Sequence, residues 1–303
     1  MKKIRIGLAA AGVAACVLSI AAMVLKQPTQ PANSSAALSH TNKQSDIPLS
    51  TQPAMRQYTK QAAPPAAEVK QKVIQVIESA QGLALKKDIK IVALGDSLTQ
   101  GVGDETNEGG YVGIIKNTLK NNKNQSHISV ENFGKRGNRT DQLLERIEQK
   151  KITSSIQDAD IILITIGAND VMKIVRSNFN HLTYEDFVKE QVNYQIRLQH
   201  VIERIHKKNH NAHIYLLGIY NPFDKYFGDI KEMDLIIADW NRIGAQVISR
   251  YDRATFVPIQ TIFQKPKENL LYEDNFHPNE IGYKRMAERV LQYIKPEIEN
   301  HSR

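Results

Sequence analysis

From residue 88 onward, five short apolar runs alternate with longer amphipathic stretches. The runs occupy 89–94, 128–132, 161–166, 214–219 and 255–259, and they are rich in Ile and Val. They are nearly continuous rather than alternating, as strands buried on both faces of a parallel sheet should be. Between them apolar residues recur at helical spacing, which predicts helices over 111–121, 140–151, 184–208 and 231–250, and a last one over 280–294. Strand–helix alternation on this scale implies right-handed crossovers and a three-layer α/β/α domain. No internal repeat is visible. In such sheets ligands bind beyond the carboxyl ends of the strands, so the residues immediately after each run carry most of the functional information.

The first 87 residues obey other rules. Lys2, Lys3 and Arg5 precede an uncharged run over 6–25 that is closed by Lys26. A basic start followed by an apolar segment is the grammar of an export signal. At about 1.5 Å per residue the run reaches roughly 30 Å, enough to cross a bilayer, so 1–26 reads either as a membrane anchor or as a cleaved signal peptide. The segment Val13-Ala14-Ala15-Cys16 also resembles the lipobox of bacterial lipoproteins, in which the Cys is acylated. All three readings place the rest of the chain outside the cytoplasmic membrane, with the membrane as a partner of the N-terminal segment. Residues 27–65 are rich in Gln, Pro, Ser, Thr and Ala and almost devoid of large hydrophobes. Such a stretch cannot offset its ordering entropy by burial and is expected to be a disordered spacer with a reach of roughly 35 Å. Val69, Val73, Ile74, Val76, Ile77 and Ala80 then recur at helical spacing, predicting a docking helix at about 66–86 that opens a domain running to residue 303.

Charge sharpens this division. Lys and Arg number 40 against 32 Asp and Glu, a net charge of +8. Residues 1–87 hold 11 basic and 3 acidic residues, whereas 88–303 hold 29 of each, so the whole excess lies ahead of the α/β pattern. A balanced domain without basic–aromatic runs argues against a nucleic-acid partner. A single Cys excludes a disulfide framework.

Four polar clusters fall where the fold would place a site. After the first run comes Gly95-Asp96-Ser97-Leu98, and after the second comes the stretch from Asn132 through Gly134 and Gly137 to Thr140. After the third comes Gly167-Ala168-Asn169-Asp170, and just before the last helix stands Asp274-Asn275-Phe276-His277-Pro278. Singly, each has a structural explanation such as a helix cap. Together and in this order they resemble the four signature blocks of the SGNH hydrolases, the GDSL esterase/lipase family, over nearly the whole of 88–295. The resemblance carries over Ser97, Gly137, Asn169, and Asp274 with His277. It implies a flavodoxin-like five-stranded parallel sheet with the first strand central, and hydrolysis of an ester or thioester without metal or organic cofactor.

The residue types suit that chemistry. A serine hydroxyl needs an adjacent base, and His277 is the side chain suited to take its proton. Asp274, three residues earlier, can accept the imidazole Nδ1 proton and leave Nε2 facing Ser97. The Ser97 and Gly137 N–H groups and the Asn169 amide would supply donors to the oxyanion. Asp96 and Asp170 read as structural: Asp96 orients the nucleophile turn, and Asp170 caps the segment after the third strand. His206, His210 and His213 have spacing that could suggest a metal site, but no acidic or Cys ligand accompanies them, and no metal is expected. Thr99 stands where the Gly-x-Ser-x-Gly elbow of α/β-hydrolases has its second Gly, which argues against that fold.

For the substrate, the stretch 171–182 and the aromatic segment 220–227, with Tyr220, Phe223 and Phe227, are expected to wall an acyl pocket. The leading expectation is an esterase acting on acyl esters of lipids, lysophospholipids or acetylated saccharides. An O-acyltransferase or deacetylase of wall polysaccharide uses the same triad, and a catalytically silent binding module is the reading from another class.

Overall fold

A computed structural model describes residues 88–120, 128–178, 183–222 and 231–300. The expected signal or anchor, the spacer, the docking helix, Cys16, Phe223 and Phe227 lie outside the described residues.

The sheet has five parallel strands: β1 (Ile89–Gly95), β2 (Ile128–Gly134), β3 (Ile161–Thr165), β4 (His213–Leu217) and β5 (Ala254–Val257). Their order is β2-β1-β3-β4-β5, the flavodoxin-like arrangement. The middle strand is β3; β1 has a neighbour on each side but is not central, which corrects that expectation.

Side-chain alternation along these strands feeds two separate cores. Val92 and Leu94 of β1, Ile162 and Ile164 of β3, and Ile214 and Leu216 of β4 enter one core. That core is completed by α3 (Thr140–Arg146), α4 (Lys150–Gln157), α5 (Ala168–Ser177), α6 (Tyr184–Lys208) and α7 (Lys231–Ile248). Ile91, Ala93, Leu163, Tyr215 and Leu217 enter the other core, beneath α2 (Gly110–Lys120) and α9 (Glu280–Asn300). Among the described residues there are also two one-turn helices, α1 (Ser97–Gln100) and α8 (Gln260–Phe263). Burial on both faces explains why β1, β3 and β4 read as nearly unbroken apolar runs, whereas the edge strands β2 and β5 are only partly buried.

Three differences from the expected elements have physical causes. The helix expected over 140–151 is two helices, so that Leu143 and Ile147 from the first segment and Ile152 and Ile156 from the second all reach the core. Arg146 bonds the Phe133 carbonyl at 2.8 Å and Asn138 Oδ1 at 2.7 Å, which fixes the end of α3. Of the stretch 171–182 expected as rim loop, residues 171–177 belong to α5. The last helix runs through Pro296 to Asn300, because Ile298 is buried and Glu297 pairs with Arg253 at 2.6 Å. These anchors offset the cost of about 3 kcal/mol for an internal proline.

The reversal of strand order falls between β1 and β3, where open α/β sheets bind ligands. Gly95 is in register with Thr165, so the chain leaves both strands at the same level of the sheet edge.

Candidate active site

The turn that carries Ser97 starts at Gly95, where a Cβ would lie 2.1 Å from the Thr165 carbonyl oxygen; only glycine fits between the strand ends. Asp96 then caps α1, its Oδ1 accepting from Leu98 N at 3.0 Å and from Thr165 Oγ1 at 2.8 Å. Thr165 Oγ1 lies 2.7 Å from Thr99 Oγ1, which lies 3.2 Å from the Tyr111 hydroxyl. This cluster is buried and holds Ser97 on the first residue of α1. Burial pushes the Asp96 carboxyl up to about 6, although the bonds from Thr165 and Leu98 and the charge of His277 pull it down.

His277 reaches Ser97 from the loop before α9. Its Nε2 stands 2.9 Å from Ser97 Oγ and its Nδ1 2.6 Å from Asp274 Oδ2. The other carboxylate oxygen of Asp274 accepts from Phe276 N at 3.1 Å and His277 N at 2.9 Å, so the same side chain shapes the turn and orients the ring. Burial raises the Asp274 carboxyl, but bonds from the His277 ring and N–H, the charge of His277 and the Phe276 N–H outweigh it and leave Asp274 below its ordinary range. The Tyr220 hydroxyl donates to the Phe276 carbonyl at 2.6 Å, and the Tyr272 N–H donates to the His277 carbonyl at 2.8 Å. A Cβ on Gly103 would lie 2.6 Å from the Pro278 carbonyl oxygen, so the segment after α1 packs directly on this loop.

The expected oxyanion donors Gly137 and Asn169 lie on separate segments, after β2 and after β3. Asn169 lies in the first turn of α5, lines the cavity beside Ser97, and donates from Nδ2 to the Asn138 carbonyl at 3.0 Å. Gly137, one residue before Asn138, is exposed with φ 80°, and no atom lies within 4 Å of where its Cβ would stand. Gly134 is different: its Cβ would lie 2.1 Å from Gln100 N, so it is a packing glycine against α1. Lys135 N donates to the Gly95 carbonyl at 3.0 Å and Arg136 N to Gln100 Oε1 at 2.6 Å, tying this loop to the turn that carries Ser97.

Contrary to expectation, Asp170 does not cap the helix after β3. Its buried carboxylate accepts from Thr140 N at 3.0 Å and Thr140 Oγ1 at 2.6 Å, at the start of α3.

A cavity with about 510 Å³ of atom-free space, its open mouth included, borders Ser97 and Asn169. Its apolar wall includes Val171, Met172, Ile219, Tyr220, Met233 and Ile237. Of the three aromatics expected there, Tyr220 lines it, with its ring stacked on Phe263 at 3.9 Å. Val171 and Met172 belong to α5 and not to a loop. In sequence, Met233 and Ile237 of α7 read only as the core face of an amphipathic helix, and their i, i+4 spacing gives no sign of a cavity.

His213 sits in β4 with Nδ1 3.3 Å from Glu297 and Nε2 2.9 Å from Thr255, and the His206 ring lies beside Tyr251. Among the described residues no group of three or more His, Cys, Asp or Glu could hold a metal ion.

Comparison with known proteins gives concordant matches. Residues 93–285 match the GDSL-like Lipase/Acylhydrolase family. Over 222 residues the chain is 37% identical to the uncharacterized protein YpmR of Bacillus subtilis strain 168, covering 73% of this chain and 87% of that one. Over 206 residues it is 29% identical to the spore germination lipase LipC of Bacillus licheniformis, covering 67% and 94%. Among solved structures, the lipase Lip_vut3 from a goat rumen metagenome superposes with a TM-score of 0.59 at 26% identity, covering 67% of this chain and 95% of that one.

Proposed function

The chain belongs to the GDSL-like lipase/acylhydrolase family and is a carboxylic ester hydrolase; from that premise we propose that it cleaves esters of aliphatic acyl chains with Ser97 as nucleophile, His277 as base and Asp274 as orienting carboxylate. One observation carries this reading: the Asp274–His277–Ser97 relay, with contacts of 2.6 and 2.9 Å, ends at an apolar cavity.

Asp274 accepts the Nδ1 proton of His277, so Nε2 is the acceptor facing Ser97. Ser97 Oγ attacks the acyl carbonyl carbon while its proton passes to Nε2. The oxyanion that forms is met by the N–H groups of Ser97 and Gly137 and by the Asn169 amide, whose second N–H is not needed for Asn138. His277 returns the proton to the departing alkoxide, leaving acyl-Ser97. Water then attacks with His277 as base, and the acid is released.

An apolar wall of Val171, Met172, Ile219, Met233 and Ile237 supports an acyl chain longer than acetyl, because each buried methylene favours binding by about 0.8 kcal/mol. The test is a panel of p-nitrophenyl esters from acetate to laurate. In the wild type kcat/KM should rise beyond acetate, and Met233→Trp, which fills the cavity, should move the optimum toward acetate by about tenfold or more. An unchanged chain-length profile in the variant would remove the cavity from the account.

The same reading puts the hydrolase outside the cytoplasmic membrane, with 1–26 as export signal or anchor. Support comes from the basic start, the apolar run over 6–25 and the polar spacer over 27–65. Among the described residues no helix is long and apolar enough to cross a membrane. Mass spectrometry of the mature N-terminus distinguishes lipid on Cys16, an intact Met1 and a new terminus beyond Ala22; intact Met1 on soluble cytoplasmic protein would contradict export.

A further inference from the structure

Two donors of the proposed oxyanion site come from different segments, Gly137 after β2 and Asn169 after β3, and something must hold those segments in register. A single side chain from a third element, Arg197 of α6, joins them. Its Nε donates to Thr140 Oγ1 at 2.9 Å and its Nη2 to Asp170 Oδ1 at 3.2 Å, while Nη2 also meets Glu190 Oε1 at 2.7 Å. Thr140 in turn donates from Oγ1 and N to Asp170. Thr140 lies three residues after Gly137 and Asp170 one residue after Asn169. The Asn169 amide closes the ring on the Asn138 carbonyl.

We infer that Arg197 is a positioning residue for this hydrolase, holding the Gly137 loop and Asn169 at the separation that lets both donors face one oxygen. The inference rests on the function proposed above. Its physical basis is the planar guanidinium, whose fixed fork of donors braces the directly bonded Thr140 and Asp170 from one side as a flexible ammonium cannot. The Asp170 carboxylate is 2% exposed, and the three-quarters-buried Arg197 is the cation paired with it. Removing that cation leaves the buried carboxylate without its paired charge, and its hold on Thr140 loosens. Arg197 does not line the cavity, and its bonds go to Thr140, Asp170 and Glu190, so its effect on the reaction travels through the donors.

The test is a double-variant cycle on the full chain, with kcat expressed per Ser97 titrated by a fluorophosphonate. Arg197→Gln should lower kcat by about tenfold or more with KM within about twofold, since donors that meet the oxyanion act on the transition state. In an Asn169→Ala background the loss caused by R197Q should shrink by at least about threefold, because one of the donors it positions is already gone. A purely structural role would give the same fold-loss in both backgrounds or lower only the titratable fraction, and either result overturns the inference. So does an undiminished kcat in R197Q. If R197Q does not accumulate folded, R197K carries the same cycle: it keeps the charge but loses the fork, and an unchanged kcat overturns the inference. Failure of the underlying function looks different, as a wild type without turnover or N169A with full kcat.

Discussion

Asp96 offers a quantitative test because its stability and activity effects have opposite signs. The carboxyl is 1% exposed, and burial raises it from 3.8 to about 6. At about 1.4 kcal/mol per tenfold change in proton affinity, the folded state binds this proton about 3 kcal/mol more tightly than the unfolded chain. The stabilisation is therefore fully present below about pH 3.8 and is lost as pH rises to about 6. Asp96→Asn cannot titrate, yet its carbonyl oxygen can still accept from Leu98 N and Thr165 Oγ1 as Oδ1 does now. Urea unfolding of wild type and D96N across the range from about pH 4 to about pH 7 should show the variant gaining up to about 3 kcal/mol relative to wild type as pH rises. Turnover should move the other way by roughly threefold to tenfold, because the negative charge felt by His277 is removed. Parallel stability curves would show that Asp96 is not held ionised at a cost, and the reasoning from burial would fail.

The same geometry makes three further outcomes testable. Gly134→Ala places a Cβ 2.1 Å from Gln100 N and should destabilise the fold by roughly 3 kcal/mol in thermal or urea unfolding. Gly137→Ala meets no atom within 4 Å and costs only its φ of 80°, about 1–2 kcal/mol; it should instead lower kcat, and wild-type melting for G134A would contradict the assignment. Asp274→Asn preserves the shape of the turn but offers an amide donor to Nδ1, so kcat should fall by roughly 10³- to 10⁴-fold; a loss under about tenfold would refute the orienting role.

Much of the fold and the site is legible in the sequence because the relevant signals are local. Ile- and Val-rich runs mark the strands, and the polar clusters after them mark the sheet edge, with Ser97, Asn169, Asp274 and His277 all present at expected positions. Gly134 and Gly137 cannot be told apart by type, since only the close approach to Gln100 and the open φ of 80° separate them. The break after Arg146 is invisible because 146–150 contains neither Gly nor Pro; tertiary bonds of Arg146 make it. By contrast α5 leaves a signal in Val171, Ile174 and Val175 at helical spacing, masked by the turn-like Asn169-Asp170 before it. Thr165 and Arg197 carry no motif, and Thr140 only closes the second polar cluster. They matter through long-range bonds, to Asp170 or Asp96, that no local pattern encodes.

The most direct test of the central claim is covalent. A fluorophosphonate should modify the protein at one residue, Ser97, identified by peptide mass spectrometry, with complete loss of ester hydrolysis. His277→Ala should slow that labelling by at least about 10³-fold while the protein remains folded by circular dichroism. Modification at another serine, or equal labelling and turnover in H277A, would contradict the account.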